Sequence, residues 1–188
     1  MLTIGSVEPF LAIDFETGDH QSDSAISIGL VRVENSKIVS EKVQLIRPPR
    51  REVMFTSIHG LTWNHVKDAP TFGEAWSSFK DLFEGVSFLV AHNAPFDRKV
   101  LYGCCDAYGL VKPPQPFQCT VQVARKAFNI YPTKLSNVCQ ALSIDLNHHE
   151  ALSDARAAAK IYIEADKVLS VKKAALESGK APSNFIKI

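Results

Sequence analysis

No stretch of this sequence stays apolar long enough to cross a bilayer. The opening "MLTIGSVEPF" has neither the basic n-region nor the long apolar h-region of a secretion signal. A cytoplasmic protein without membrane association is the expectation. Cysteine is scarce, with four in all, and Cys104, Cys105, Cys119 and Cys139 show no CxxC spacing. That pattern speaks against a disulfide framework or a thiolate zinc site and for buried free thiols. A charge excess is missing too: 21 Lys and Arg face 20 acids, so bulk charge neither demands nor excludes a polyanionic partner. Internal repeats and low-complexity tracts are absent. What remains is the composition of an ordinary globular domain, 46% hydrophobic and 22% charged over 188 residues, a length that fills one domain and leaves little for a second.

The order of elements follows from periodicity. "FLAIDFET", "AISIGLVRVEN" and "KIVSEKVQLIRP" read as strands, with Asn35 and Ser36 as a turn between the last two. An irregular stretch follows, with a short helix expected after Thr62. Ala75, Phe79, Leu82 and Phe83 space like one helix face closed by Gly85. "VSFLVAHN" reads as a strand, and a helix opens near Pro95 and ends around Gly109. "FQCTVQVARKAF" is expected to run from a short strand into a helix, and "KLSNVCQALSI" to form another helix. A long helix is expected from about Ala151 to Val168, followed by a tail, 169–188, of unknown role. Three hairpin-joined strands followed by alternating helices and strands predict an α/β domain over 1–168, a mixed sheet covered by helices. Local cations gather in "RPPRR" (Arg47 to Arg51) and "VKK"; each reads as solvated surface charge, with phosphate tracking an option where a catalytic site lies nearby.

The informative residues are acids in apolar settings. Period-two geometry puts Asp14 and Glu16 on the same strand face as Phe10 and Ala12, with Leu11, Ile13 and Phe15 on the other. Two carboxylates cannot stay ionised side by side at the end of an apolar strand without a cation; taken alone, the strand is simplest read as emerging into solvent. Asp97, however, stands on a helical stripe with Val100, Leu101 and Cys104, and Asp154 on one with Ala157, Ala158 and Ile161. Four acids aimed inward from three elements point to a shared divalent cation site. Oxygen-only ligands favour Mg²⁺ or Mn²⁺ over zinc, and a pair of such ions ~4 Å apart suits in-line displacement at phosphorus.

"DFET" with Asp14 and Glu16, "HNAPFD" with Asp97, and "HHEALSDA" with His149 and Asp154 resemble the three motifs of the DEDDh, or DnaQ-like, exonuclease family. That family includes the proofreading subunit and domains of bacterial replicative DNA polymerases. The resemblance covers roughly Phe10 to Ala165, and "IHGLT" (Ile58 to Thr62) matches a family loop that touches the terminal nucleotide. It implies a ribonuclease H-like fold, with a central mixed sheet of about five strands, and removal of mononucleotides from a 3′ end of DNA or RNA. A DNA polymerase or another replication or repair protein is the kind of partner it suggests. It further implies that Asp14, Glu16, Asp97 and Asp154 hold two Mg²⁺ or Mn²⁺ ions and that His149 is the general base. Thr17 and Gly18 would approach the nucleotide through their backbone, His59 and Asn93 would position its sugar and phosphate, and Phe96 would offer an apolar surface. The sequence departs from the family where many members read DxETTG; here Thr17 is followed by Gly18 and "DHQSDSA", which alters the lip of the nucleotide pocket.

Two adjacent histidines compete for the role of base. Five residues turn about 500° along a helix, which leaves the ends ~140° apart in projection, so a base five before Asp154 must sit in the loop ahead of the helix. His149 has that spacing, which is the family's, whereas His148 lies six before and is expected to face solvent or pack beside the pocket. His92 is expected to be a structural hydrogen bonder and Trp63 and Trp76 to pack. Two rivals to a DNA exonuclease stand beside it: an exoribonuclease trimming RNA 3′ ends, and a catalytically silent module that binds nucleic acid or a polymerase. The five competent residues argue against silence.

Overall fold

β1 (Phe10–Thr17), β2 (Ala25–Glu34) and β3 (Lys37–Leu45) form an antiparallel meander in the computed structural model, which describes residues 7–178. Asn35 and Ser36 make the β2–β3 turn at φ 51° and 59°, the positive φ at both positions that matches the twist of a tight hairpin. β4 (Phe88–Ala91) and β5 (Phe117–Cys119) add in parallel on the other side of β1, giving a five-stranded sheet of order β3-β2-β1-β4-β5. The mixed sheet and its helical cover agree with the sequence reading.

The two faces of β1 build the two cores. Leu11, Ile13 and Phe15 pack with α3 (Phe72–Trp76), a 3-10 turn at Lys80–Phe83, and α4 (Ala94–Ala107). Phe10 and Ala12 pack on the opposite side with Ala155, Ala158 and Ala159 of α7 (Ala151–Glu177). Burying each large apolar side chain is worth about 1.5–3 kcal/mol, which fixes the strand's facing because a one-residue slip would exchange the two sets. α5 (Thr120–Phe128) and α6 (Leu135–Leu142) close against the outer flank of α7 through Ala157 and Ile161.

Three expectations change. The single helix read from Ala75 to Phe83 is α3 plus the 3-10 turn, because a Thr71–Glu74 capping box starts α3 early and Phe79, at φ −138°, breaks the run. Aromatic packing sets that break: Phe79 lies 5.9 Å from Phe72 and 5.5 Å from Trp76, ring centre to ring centre. Thr56–His59 forms a helical turn, α1, ahead of the expected α2 (Trp63–Val66). Finally, α7 does not stop at Val168 but continues to Glu177, so the boundary drawn at 168/169 falls inside a helix. "VLSVKKAALE" contains no Gly or Pro to end it; the rest of the tail, from Gly179, lies outside the described residues. No described helix is long and apolar enough to cross a membrane, and all four cysteines are free.

Candidate active site

Asp14 and Glu16 leave β1 on the α7 side, and a glycine lets α7 come to them. Asp14 pairs in register with Gly29 of β2. A Cβ on Gly29 would lie 2.1 Å from the Ala151 carbonyl oxygen and 2.6 Å from the Leu152 nitrogen. The first turn of α7 therefore rests on bare backbone beside Asp14, and Asp154, one turn on, meets the strand's acids. Carboxylate oxygens of Asp14, Glu16 and Asp154 lie within 4.8 Å of one another. Asp97 reaches the cluster from the first turn of α4. β1 outruns β4, whose pairing ends at Ala12 and Val90, and the Phe15 N–H beyond that point donates to Asp97 Oδ1 at 3.1 Å. Asp97 is buried, with 1% of its surface exposed.

Burial raises the pKa of all four, and crowding adds to it for Asp14, Glu16 and Asp97. Burial pushes Asp14 well above the ordinary carboxylate range, and Asp97, Asp154 and Glu16 push it further. Glu16 rises to about 7, through burial and then Asp154. Burial raises Asp97 against the Phe15 hydrogen bond, and Asp154 against the pull of His148. Asp154 Oδ2 bonds His148 Nδ1 at 2.7 Å, while its Oδ1 is buried with no hydrogen-bond partner. A buried carboxylate oxygen left bare among other carboxylates is costly unless a cation takes it. The residues present therefore fit a hard divalent ion, bound through oxygen.

The cluster floors a cavity of about 500 Å³. Thr17, His59, Asn93, Phe96 and His149 line it with Asp14, Glu16 and Asp154; Asp97 lies buried behind them and Gly18 does not reach it. Gly18 has its N–H bonded to Ser24 O at 2.8 Å, and its carbonyl accepts from Met54 N–H at 2.7 Å, so both backbone groups are taken within the protein. His59 is held in one tautomer: its Nδ1 accepts from Leu61 N–H at 3.1 Å, which leaves Nε2–H to donate to Thr17 O at 3.2 Å. Asn93 sits in the left-handed region, φ 71°, between β4 and α4, a conformation asparagine tolerates better than most residues. Phe96 and Ile58 are 43% and 52% exposed on the cavity rim, where they present an apolar face.

α7 begins only at Ala151, so both histidines lie in the loop before it. His149 turns that loop at φ 66°, and its exposed ring stacks on His148 with centres 3.8 Å apart. Burial, then His148, lowers the pKa of His149. His148 does more than face solvent, since it bonds Asp154. His92 bonds Thr120 Oγ1 at 2.8 Å and Thr133 O at 3.2 Å, a structural position. Two of the three "RPPRR" cations pair with acids: Arg47 with Glu74 at 3.6 Å, on the surface, and Arg50 with Asp19, at 2.5 Å, and Asp23; Arg51 is exposed. The Arg50 bridge braces the loop after β1, the lip where the sequence departs from DxETTG. Sequence reasoning missed Phe55, Lys134 and Leu135 on the cavity wall, and it missed Gly29, whose one signal was a glycine inside the apolar run "AISIGLV".

Comparison with known proteins gives the family and the fold. The RNase T exonuclease family model matches residues 11–162. A DNA polymerase III of PolC type from Thermotoga petrophila is 31% identical over 158 residues, which are 82% of this chain and 12% of the relative; the chain thus spans about an eighth of that protein's length. The solved structure of exonuclease X in complex with 5′ overhanging duplex DNA superposes with a TM-score of 0.68 at 26% identity, covering 92% of this chain and 94% of that one. The nuclease domain of 3′hExo, a DEDDh family member bound to rAMP, shares the fold with a TM-score of 0.70 at 20% identity, over 92% of this chain and 93% of that one. With the family model covering most of its length and its acids gathered at one cavity, the chain belongs to the DEDDh-type, DnaQ-like family of 3′–5′ exonucleases.

Proposed function

We propose that the protein releases nucleoside 5′-monophosphates from the 3′ ends of single-stranded or frayed DNA by two-metal-ion hydrolysis. The observation that carries this is the clustering of Asp14, Glu16 and Asp154 at a cavity floor, with Asp154 Oδ1 buried and unpartnered. Asp14, Glu16, Asp97 and Asp154 would hold two Mg²⁺ or Mn²⁺ ions. When bound, such ions polarise the phosphate and favour ionisation of the attacking water. His149 accepts the proton of that water: its lowered pKa leaves the imidazole neutral near pH 7, and its loop keeps it at the open side of the cavity. The water oxygen bonds to phosphorus, and the P–O3′ bond to the preceding nucleotide breaks. His59 and Asn93 position the terminal sugar and phosphate, Thr17 shapes the pocket beside them, and Phe96 covers the base or sugar. Gly18 contributes indirectly, by fixing the lip.

The test is incubation with Mg²⁺ or Mn²⁺ and end-labelled single-stranded DNA and RNA. Stepwise shortening from the 3′ end with mononucleotide release is expected, faster on DNA. Faster shortening of RNA would reassign the substrate, and no release from any substrate would sink the enzyme reading in favour of a silent binding module. The PolC-type relative carries the matching stretch within a DNA polymerase, which supports a polymerase, or another replication or repair protein, as partner.

A further inference from the structure

A cavity built to take a nucleic-acid 3′ end has to hold more than one phosphate, and its floor is anionic. Among the described residues, Lys134 is the one Lys or Arg that lines it. Lys134 is exposed and enters no salt bridge, unlike Arg47 and Arg50 of the basic loop. It stands on the α5–α6 side of the cavity with Val121, Thr133 and Leu135, whereas Phe96, Phe55 and Ile58 line it from α4 and the α1 segment. The loop that presents it is braced. Buried Thr133 accepts from Arg125 Nε at 2.9 Å and donates to Ile130 O at 2.9 Å, its carbonyl takes His92 Nε2–H at 3.2 Å, and Arg125 stacks on Tyr131. A long, hydrated ammonium on a fixed base serves as a point charge for a phosphate rather than as a planar fork.

Resting on the exonuclease reading above, we infer that Lys134 is a substrate-binding residue that contacts the phosphate next to the scissile one, on the strand that remains after cleavage. The scissile phosphate belongs to the carboxylate floor and its metals. The terminal nucleoside belongs to the apolar rim of Phe96 and Ile58. The neighbouring phosphate is the group left without a counter-charge, and Lys134 supplies it. A contact of this kind reads no base, so it strengthens binding alike on every sequence.

Steady-state kinetics with a labelled oligonucleotide test this. Lys134→Ala is expected to raise KM about 3–10-fold, leave kcat within about twofold, and make the dependence of log(1/KM) on log[NaCl] shallower by about 0.7, the share of one phosphate on a single strand. Lys134→Arg restores most of the loss. A methylphosphonate at the second linkage from the 3′ end, which removes that one charge, raises KM for the wild type but adds little to Lys134→Ala. Lys80→Ala serves as control; its 3-10 turn lies at the far end of the sheet, where Arg32, paired with Leu11, bonds Leu82 O and Glu84 O. Additive losses from the methylphosphonate and Lys134→Ala, an unchanged salt slope, or a fall in kcat alone would overturn the assignment. Fluorescence anisotropy of the same oligonucleotides reads the same coupling without turnover. A wild type that binds them but releases nothing therefore counts against the exonuclease reading and not against the contact.

Discussion

His149 and Glu16 show how one residue's surroundings set its task. His149 stands outside the helix that carries Asp154, in a loop turned by its own positive φ, so its removal takes nothing from the core. His149→Ala is expected to lower kcat by about 10²–10⁴, the usual contribution of a positioned general base, with an unchanged melting temperature; the same loss from His148→Ala, with His149→Ala active, would exchange their roles. Glu16 gives a prediction about pH. A carboxyl whose folded pKa lies above its unfolded one binds more protons folded than unfolded, so its contribution to stability falls as pH rises through that window. For Glu16 the window runs from its ordinary 4.5 to about 7. In chelator, Glu16→Gln should therefore be more stable than the wild type at pH 8, by at most roughly 3 kcal/mol, and the gain should vanish near pH 4. Burial-lowered His59, His92 and His149 oppose the trend below 6.5 in both proteins, so the difference between variant and wild type reports Glu16 together with the push its charge gives Asp14 and Asp97. Chelated melts across pH decide it; a gain that is flat with pH would contradict the assigned burial.

At the scale of elements, the contact between β2 and the first turn of α7 assembles the site. Gly29→Ala puts a methyl group where Ala151 already is, and overpacking of this kind costs about 1–3 kcal/mol. Because the displaced turn carries Asp154, the variant is expected to lose Mg²⁺ affinity as well as stability, measured by calorimetric titration and melting; a loss of stability with full metal affinity would show that α7 yields elsewhere. None of this closeness was legible in the sequence, where Gly29 is one small residue in an apolar strand. Other parts were. The alternation of "FLAIDFET" announces which acids share a face, since strand period is a local property. The alanine stripe of α7 likewise announces the buried side of Asp154. The extent of α7 was misjudged because no stop signal lies near Val168, and the break at Phe79 because aromatic packing between distant turns outweighs a helical spacing. The His148–Asp154 bond was hidden for a similar reason: it depends on a loop dihedral that no periodicity encodes. Lys134 is one lysine in "PTKLSN" until the fold brings α6 to the end of β1.

At the scale of the whole molecule, the functional centre gathers four acids whose pKa values burial raises, three of them further raised by their acidic neighbours. Binding a divalent ion to the folded state alone stabilises it by RT ln(1 + [L]/Kd), about 2.7 kcal/mol at a hundredfold excess over Kd. For a chain of this length that is a rise of about 5–10 °C in melting temperature. Mg²⁺ or Mn²⁺ should produce it at pH 8 and much less of it at pH 5, where the ligands are increasingly protonated; thermal melts with and without chelator measure it, and an equal rise at both pH values would place the ion elsewhere. The Gly29–Ala151 touch adds a mechanical consequence. Where two layers meet backbone to backbone, their spacing cannot be tuned by exchanging side chains. A larger or smaller residue further along α7 therefore tilts the helix about this point as about a fulcrum. Asp154 sits beside the pivot and barely moves, while the far end, towards Ala174, takes up the swing. The long helix can thus absorb drift in the core without passing it on to the metal ligands.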